Sequence, residues 1–393
     1  MKILISIANL KLGGAQIVAL RLAKALEDEG HVVHVYDHFP DVRVSGMVDE
    51  HYPCIKLYSI TENEMLRWFI WKINVFCIYL RFDFFRWMNM VVFMFRANMG
   101  YEVIHSHMFD SDEILSRCKF WRVSPKLVVT MHGCYEERFA ISQLDYRRGF
   151  LKKAKRIISK VDSVFFLTKK NIAFINEINL KKLPRLIKTY NGIDLVGYSN
   201  VARDFDIENK PNVILGMTGR GVKDKGWELA INVVIKANVQ TNRCVELFII
   251  SDGDYISYLE QKYLQFDYIK FLGFQANVIP YLKEIDVGLL PSRTKSESLP
   301  TSIIEFMALG IPIIASDVGE IKNMIYTGVN SDYAGIVISE HDKMESEIVR
   351  ELVALIGSSS YYKTLSDNCK LAVKKFDIKK VLNGHLAIYT EEH

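Results

Sequence analysis

Residues 208–217 read Glu-Asn-Lys-Pro-Asn-Val-Ile-Leu-Gly-Met, so a polar, proline-containing stretch changes abruptly into an apolar run. The polar composition extends back to residue 194, which is typical of a linker between domains. The apolar run predicts the first strand of a new domain. At 393 residues the chain exceeds what one hydrophobic core usually supports. We therefore expect an N-terminal domain over residues 1–200 and a C-terminal domain over residues 208–375.

Short apolar runs alternate with amphipathic stretches on both sides of this linker. Strands are predicted at 2–8, 32–37, 102–107, 127–131, 163–167, 212–217, 245–250, 286–290 and 312–315. Amphipathic helices are predicted between several of them, as in the run from Ala15 to Glu29. This alternation indicates an α/β fold of two doubly wound, Rossmann-like domains that face each other across a cleft. A final helix, 376–393, is expected to pack back on the first domain.

The composition excludes several classes of protein. Apolar residues make up 49% of the chain and charged residues 24%, which excludes disordered, collagen-like and coiled-coil chains. The six cysteines include no Cys-x-x-Cys pair, so we expect neither a disulfide scaffold nor a structural zinc site, and a reducing, cytoplasmic location. The first apolar run, residues 3–8, is too short for a signal peptide.

Two loops could hold an anion. Gly13 and Gly14 lie between the first strand and the first helix, where free backbone N–H groups favour a negative charge, although an ordinary tight turn explains them equally well. Arg220 and Lys225 lie in the loop Thr218–Gly226 after the strand that opens the second domain. They could bind a diphosphate and neutralise charge that develops on it, or they could belong to a solvated basic loop.

The segment 297–310 carries the most specific signal. Pro300 suits the start of a helix, and Glu305 then lies among apolar residues, where a carboxylate needs partners such as a sugar diol. Glu297 and Glu305 would lie about 8 Å or more apart along the helix axis. A nucleotide sugar has this layout, with its diphosphate near the helix N-terminus, while a solvated glutamate is the simpler alternative.

These motifs together resemble glycosyltransferase family 4 over nearly the whole chain. They occur in the family's order: Gly13-Gly14, Asn191-Gly192-Ile193-Asp194, Gly219-Arg220 with Lys225-Gly226, and Glu297 followed after seven residues by Glu305. The resemblance implies a GT-B fold, a retaining mechanism and a nucleotide-sugar donor. The chain departs from the family at Ser298-Leu299-Pro300, where many members have Gly-Phe-Gly.

The resemblance also implies a role for each matching residue. Glu305 would bind the ribose, and Glu297 would hold the donor sugar. Arg220 and Lys225 would stabilise the leaving diphosphate, and His132, at the end of a strand, would lie near the sugar. The remaining donor-binding positions implied are Gly13, Gly14, Ser298, Leu299, Pro300 and Thr301.

Two Asp-x-Asp runs could suggest a metal-dependent transferase. We interpret Asp110-Ser111-Asp112 as a helix N-cap and Asp252-Gly253-Asp254 as a turn into a helix. His105 and His107 share a strand face without an evident third ligand. With Arg220 and Lys225 available, we expect no metal and no other cofactor.

Residues 65–99 are rich in aromatic side chains interrupted by Arg and Lys, including Trp68, Trp71 and Trp87. This pattern favours helices at a membrane interface, although an aromatic-rich pair of buried helices remains an alternative. Residues 1–200 carry 29 Lys or Arg against 20 Asp or Glu, whereas residues 201–393 carry 21 against 26. The basic half includes Arg147 and Arg148, and we expect it to meet an anionic membrane surface rather than nucleic acid.

The sequence thus predicts a cytoplasmic, membrane-peripheral, retaining and metal-independent glycosyltransferase. It would move a sugar from a UDP- or GDP-sugar to a lipid-linked saccharide in the synthesis of a surface polysaccharide such as O antigen, capsule or lipopolysaccharide. Two alternatives remain. One is a GT-B-fold nucleotide-sugar epimerase, and the other is a non-catalytic nucleotide-sugar-binding subunit of a membrane complex.

Overall fold

The computed structural model describes most of the chain, namely residues 1–10, 13–40, 52–121, 124–133, 135, 144–198, 206–275, 277–293, 297–329, 332–339 and 341–391, with only the backbone for 144–148 and 341. It divides the chain into a first unit, Met1–Gly192 with Ile378–His393, and a second unit, Ile193–Asp377. The boundary precedes residue 200 because Ile193 already belongs to the second unit, where its amide donates to the Phe376 carbonyl at 2.9 Å.

The first unit is built on a parallel seven-stranded sheet. Its strands are β1 Lys2–Ile7, β2 Val32–Asp37, β3 Lys56–Tyr58, β4 Val103–His107, β5 Lys126–Met131, β6 Ser163–Phe166 and β7 Arg185–Lys188, in the order β3-β2-β1-β4-β5-β6-β7. Its helices before the unit boundary are α1 Gly14–Asp28, α2 Glu64–Tyr79, α3 Phe84–Ala97, α4 Phe109–Leu115, α5 Leu144–Lys160 and α6 Lys169–Glu177.

The second unit repeats this design with a parallel six-stranded sheet. Its strands are β8 Asn212–Thr218, β9 Cys244–Ile250, β10 Ile269–Phe271, β11 Val287–Leu290, β12 Ile313–Ser316 and β13 Gly335–Ile338, in the order β10-β9-β8-β11-β12-β13. Its helices are α7 Trp227–Gln240, α8 Asp254–Lys262, α9 Ile279–Glu284, α10 Thr301–Ala308, α11 Ile321–Ile325, α12 Met344–Ile356 and α13 Ser359–Ala372.

The last helix, α14 Ile378–Tyr389, returns the chain to the first unit. It packs against α1, and Leu382 and Ile388 join the same buried cluster as Leu22 of α1. The Lys126 ammonium at the start of β5 donates to the Ile388 carbonyl at 2.8 Å. Apolar burial and this polar contact together hold the C-terminal helix in place.

Each sheet has a point at which its strand order reverses. β1 pairs with β2 on one side and β4 on the other, and β8 pairs likewise with β9 and β11. In open parallel sheets, ligands bind beyond the carboxyl ends of the strands at such a switch point, because the following loops diverge there. The loops after β8 and β11 are therefore where a ligand of the second unit is expected.

The interpretation of Asp110-Ser111-Asp112 as a helix N-cap is wrong. Helix α4 begins at Phe109, and its N-cap position is Met108, which makes no side-chain cap. Asp112 lies inside the helix and is buried, and its carboxylate accepts a hydrogen bond from the Tyr135 hydroxyl at 3.0 Å. Burial raises the pKa of Asp112 to about 8, against the hydrogen bond that it accepts from Tyr135.

Candidate functional site

The loop after β8 presents Arg220 to solvent and Lys225 to the interior. The backbone of Arg220 is fixed, because its carbonyl accepts hydrogen bonds from the indole of Trp227 at 3.1 Å and from the amide of Val222 at 2.8 Å. The guanidinium is exposed, whereas Lys225 ends a short 3-10 helix and is buried. Gly226 follows with φ +84°, and any Cβ there would overlap the Pro291 carbonyl oxygen, so this turn requires glycine.

The loop after β11 meets this turn. The Arg293 amide donates to the Asp224 carbonyl at 2.8 Å, and the Ser316 hydroxyl donates to the Ser292 carbonyl at 2.6 Å. These contacts join the ends of β8, β11 and β12 into one frame. A cavity of about 300 Å³ lies beside the frame, and Asp224 and Arg293 line it.

Lys225 and Glu297 are brought together by this frame. The Lys225 ammonium lies 2.6 Å from Oε1 and 2.7 Å from Oε2 of Glu297, and each side chain is only 9% exposed. An ammonium has three N–H donors, so the pairing leaves one for a ligand. The pair therefore places a fixed positive charge and a fixed carboxylate at the switch point of the second sheet.

The backbone that carries Glu297 is held from a second side. The Glu320 amide donates to the Ser298 carbonyl at 3.0 Å, and Gly319, with φ +60°, lies so close that a Cβ would overlap the Glu297 carbonyl oxygen. Leu299 is buried. The segment from Glu297 to Pro300 is thus a rigid approach to helix α10.

Helix α10 begins at Thr301 with Pro300 at its N-cap position, and among the described residues no side chain caps it. The first amides of a helix have no partner within the helix and attract anions. Glu305 is the fifth residue of α10 and is buried in the second unit. The loops after β8 and β11 and the start of α10 therefore offer cations and backbone donors suited to a diphosphate, and carboxylates suited to sugar hydroxyls.

In the first unit, Gly13 and Gly14 open helix α1. Gly13 is extended at the N-cap position, and the described residues include no side chain that caps this helix. A Cβ at Gly14 would meet no atom within 4 Å, so packing in the first unit does not require glycine there. The open space and the uncapped amides suit an anion that approaches the backbone.

His132 follows β5 and pairs with His107 of β4, their nearest ring nitrogens being 3.0 Å apart. Burial lowers the pKa of His132 to about 4 and that of His107 well below its ordinary value, so both rings are neutral at pH 7. His105 contacts the Tyr389 hydroxyl at 2.6 Å and the Thr130 hydroxyl at 2.7 Å. In the described ranges no three His, Cys, Asp or Glu side chains form a group that could hold a metal ion.

Two family models match the chain. Residues 12–196 match the model described as Glycosyltransferase Family 4, and residues 212–358 match the model described as Glycosyl transferases group 1. The chain is a glycosyltransferase of the family 4 type.

Some relatives of this glycosyltransferase match it over nearly their whole length, and others match it over only part of their length. An uncharacterized glycosyltransferase of Methanocaldococcus jannaschii is 22% identical over 385 residues, which cover 97% of the chain and 95% of the relative. The O-antigen biosynthesis glycosyltransferase WclY of Escherichia coli is 26% identical over 233 residues, which cover 56% of the chain and 62% of the relative.

A solved structure shares the fold of the glycosyltransferase. The Anabaena protein HepE, crystallised with UDP and glucose, superposes with a TM-score of 0.73 at 18% identity and covers 100% of both chains. This likeness, with the two Rossmann-like sheets, confirms the predicted α/β, GT-B fold class.

Helix α2 of the glycosyltransferase is largely exposed, whereas α3 buries one face that includes Phe85 and Phe93 and exposes Trp87, so the alternative of a buried helix pair is wrong for α2. Ile70 alone is buried among the residues of α2, whereas Trp68, Trp71 and Trp87 are 58%, 50% and 48% exposed. The Lys72 ammonium lies over the rings of Trp68 and Trp71, at 5.2 and 5.3 Å from their centroids. Over the described part of the chain, no helix is both long enough and apolar enough to cross a membrane.

Some site features lie beyond what the sequence revealed. Arg147 and Arg148 belong to α5, but their side chains lie outside the described residues. The pairing of Lys225 with Glu297 and the supporting contact at Gly319 were not predicted. A signal existed only for Gly319, because a glycine in the loop shortly after β12 can allow a close approach of another backbone segment.

Proposed function

We propose that this glycosyltransferase is a retaining, metal-independent enzyme that moves a sugar from a UDP- or GDP-sugar to a lipid-linked saccharide. The product would be a bacterial-type surface polysaccharide, such as O antigen, capsule or lipopolysaccharide. The observation that carries the proposal is the Lys225–Glu297 pair, held at the carboxyl ends of β8 and β11 beside the exposed Arg220. WclY, an O-antigen glycosyltransferase, supports the polysaccharide, and HepE with bound UDP supports the nucleotide.

Donor binding is assigned to the second unit. The uncapped start of α10, with the segment from Ser298 to Thr301, would receive the diphosphate, and Glu305 would accept hydrogen bonds from the ribose hydroxyls. Glu297 would hold the sugar while it keeps Lys225 in place. Gly13 and Gly14 keep a role toward the donor phosphates, because the backbone at the start of α1 is open to an anion.

The reaction breaks the bond between the anomeric carbon and the diphosphate oxygen, so negative charge develops on the leaving diphosphate. Arg220 and Lys225 neutralise that charge, which is the part a divalent ion plays in metal-dependent enzymes. The acceptor hydroxyl attacks the face that the diphosphate leaves, and a diphosphate oxygen takes its proton. The anomeric configuration is therefore retained without a paired acid and nucleophile.

His132 would contact the sugar as a neutral group. Because burial lowers its pKa to about 4, the ring carries no charge at pH 7 and serves as a hydrogen-bond partner rather than as a proton donor. Its contact with His107 fixes the orientation of the ring.

We infer from helices α2 and α3 that the acceptor is attached to a membrane. Their exposed aromatic side chains, with Lys72 and Arg86 among them, suit the interface between lipid headgroups and acyl chains. A peripheral position on the cytoplasmic face would bring the enzyme to an acceptor whose lipid is anchored in the same membrane.

The test begins with thermal-shift screening of the purified protein against UDP- and GDP-sugars, with and without a chelator. A sugar that stabilises the protein is then supplied with a lipid-linked saccharide, and the product's anomeric configuration is read by NMR. We expect transfer with retention, unchanged by the chelator. Inversion, loss of transfer with the chelator, or release of an epimerised sugar without any acceptor would each contradict the proposal.

A further inference from the structure

A buried carboxylate in the first unit is surrounded by four cations. The Glu113 side chain on α4 is 1% exposed, and Arg86 of α3 contacts its Oε2. Lys153 of α5 lies 3.4 Å from the same oxygen, while Arg117 and Arg156 lie 2.8 and 3.3 Å from Oε1. These cations come from three different segments, so the fold assembles the cluster.

The cluster holds more positive charge than Glu113 can neutralise. Four cations face one carboxylate, which leaves a surplus of three positive charges. Asp83 caps α3 by accepting a hydrogen bond from the Arg86 amide, and if its charge is counted too, the surplus is two. The cations hold the pKa of Glu113 below its ordinary value although burial opposes this, so the carboxylate stays charged at neutral pH. Unbalanced positive charge at one place attracts an anion.

The cations also keep N–H donors free to bind an anion. A guanidinium has five N–H donors, and Arg117 spends one nitrogen on Glu113, while Arg156 spends one on Glu113 and its Nε on the Ser116 hydroxyl at 3.2 Å. The four cationic side chains are between 36% and 46% exposed. Phosphate oxygens match the geometry of such donors.

The position of the cluster indicates which phosphate it meets. Arg86 lies in the first turn of α3, directly before the exposed Trp87, and α3 packs against α2 with its exposed Trp68 and Trp71. At a bilayer the aromatic side chains lie at the level of the headgroups, where lipid phosphates are. A cation cluster that includes Arg86, the residue before Trp87, is then within reach of those phosphates.

We propose that Arg86, Arg117, Lys153 and Arg156, held around Glu113, form a binding site for the phosphate groups of anionic membrane lipids. The inference rests on the proposed function, because a site that binds membrane lipids would hold the enzyme beside its membrane-bound acceptor. Glu113 serves as the hub that keeps four mutually repelling cations together.

The test compares vesicle binding of the full chain with that of Arg117→Gln/Lys153→Gln. This variant leaves Arg86 and Arg156 on Glu113, so the buried carboxylate keeps partners. The matched control is Lys181→Gln/Lys182→Gln, which removes two exposed cations elsewhere in the first unit. Sedimentation is measured with phosphatidylcholine vesicles and with vesicles that contain about one third phosphatidylglycerol. Thermal midpoints and circular dichroism check each fold.

We expect the cluster variant to bind anionic vesicles about 30-fold more weakly, since each cation near the surface contributes roughly a factor of five. The control should stay within about threefold of the unmodified protein, because charges away from the bilayer are screened. Equal losses in the two variants would overturn the site. So would stabilisation of the unmodified protein by millimolar inorganic diphosphate that is lost in Arg117→Gln/Lys153→Gln while its vesicle binding is unchanged, because this would indicate a soluble phosphate ligand.

Failure of the inference can be told from failure of the proposed function. If the unmodified protein binds no vesicles, the membrane part of the proposed function fails together with the inference. If it binds them and the cluster variant binds equally well, only the inference fails. Transfer to a lipid-free saccharide reports on the glycosyltransferase reaction independently of both.

Discussion

The ammonium group of Lys225 lies within 2.7 Å of both carboxylate oxygens of Glu297, although the two residues are 72 positions apart in the chain. One residue follows β8 and the other follows β11, which are neighbours in the sheet. The strand order therefore creates the pair. Because each side chain is only 9% exposed and pairs with the other, their positions are fixed before any ligand binds, which is the condition for effective electrostatic stabilisation of a developing charge.

Glu297→Gln should destabilise the second unit as well as slow transfer. It leaves the buried Lys225 without its counter-charge, which costs on the order of 3–5 kcal/mol and lowers the thermal midpoint by about 6 °C or more. Lys262→Met, which breaks an exposed ion pair with Glu228, should shift the midpoint far less.

A double variant separates stability from catalysis at this pair. Lys225→Met/Glu297→Leu replaces both charges with apolar groups of similar size, so it should recover most of the lost thermal stability. Transfer should stay impaired, because the fixed charges are gone. Wild-type transfer rates in this variant would show that the pair is only structural.

Arg220→Ala should lower turnover more than donor affinity. Its exposed guanidinium is assigned to the diphosphate as charge develops, and losing such a contact costs about 2–4 kcal/mol, or roughly 30- to 1000-fold in rate. Lys223→Ala removes an exposed cation from the same loop and is the matched control. Steady-state kinetics over a range of donor concentrations measure kcat and KM for both variants, and a pure rise in KM for Arg220→Ala would contradict the assignment.

Glu305→Ala should weaken nucleotide binding rather than lower turnover. If the carboxylate accepts hydrogen bonds from ribose hydroxyls, its loss costs about 1.5–3 kcal/mol, so UDP should bind roughly 10- to 150-fold more weakly. Isothermal titration of UDP gives the dissociation constants, and Glu260→Ala on the exposed side of α8 provides the comparison. Unchanged UDP affinity in a folded Glu305→Ala protein would refute the ribose contact.

Asp112→Asn tests a buried acid in the first unit. The pKa of Asp112 is about 8 in the folded chain and near 4 when unfolded, so between these values the unfolded chain releases a proton that the folded chain retains. Wild-type stability should therefore fall as pH rises from about 4 to 8, by up to several kcal/mol, while the variant lacks this loss.

The measurement for Asp112 is the thermal midpoint of each protein at pH 5 and pH 8. The thermal midpoint of Asp112→Asn minus that of wild type should increase from pH 5 to pH 8. Asp267→Asn, at an exposed site, should show no such increase. A difference that stays constant with pH would mean that Asp112 ionises normally.

The sequence predicted the central strands of both sheets but not the edge strands. The nine predicted strands are the central ones, whose apolar runs are long because both faces are buried. The missed strands β3, β7, β10 and β13 are the four outermost strands. They are three or four residues long and partly exposed, so their short, mixed sequences carry no clear period.

At the site, sequence could indicate residue types but not partners. Lys225 and Glu297 were each visible as charged residues beside a strand or a helix start, yet their contact depends on β8 lying next to β11. Asp112 was mistaken for a cap because its burial depends on Tyr135, which lies beyond β5. Local spacing carries no information about such neighbours.

The last prediction concerns the exposed tryptophans of α2 and α3. Trp68, Trp71 and Trp87 are about half exposed, so replacing all three with Ser should leave the fold intact. Membrane binding by wild type should have a part that salt removes, because exposed cations are screened over about 8 Å at physiological ionic strength. Burial of the aromatic rings should supply a part that resists salt. The triple variant should lose this resistant part, measured as protein that stays on anionic vesicles at high salt.

The comparison for the tryptophans replaces three exposed apolar side chains of the second unit, Val239, Tyr258 and Leu264, with Ser. This control should keep salt-resistant binding, since it removes similar apolar surface away from α2 and α3. Circular dichroism and UDP-dependent thermal shifts establish that each protein is folded. If the triple tryptophan variant unfolds, these side chains support the core rather than a membrane contact. If it stays folded and remains on vesicles at high salt, the aromatic rings are not what holds the enzyme to the bilayer.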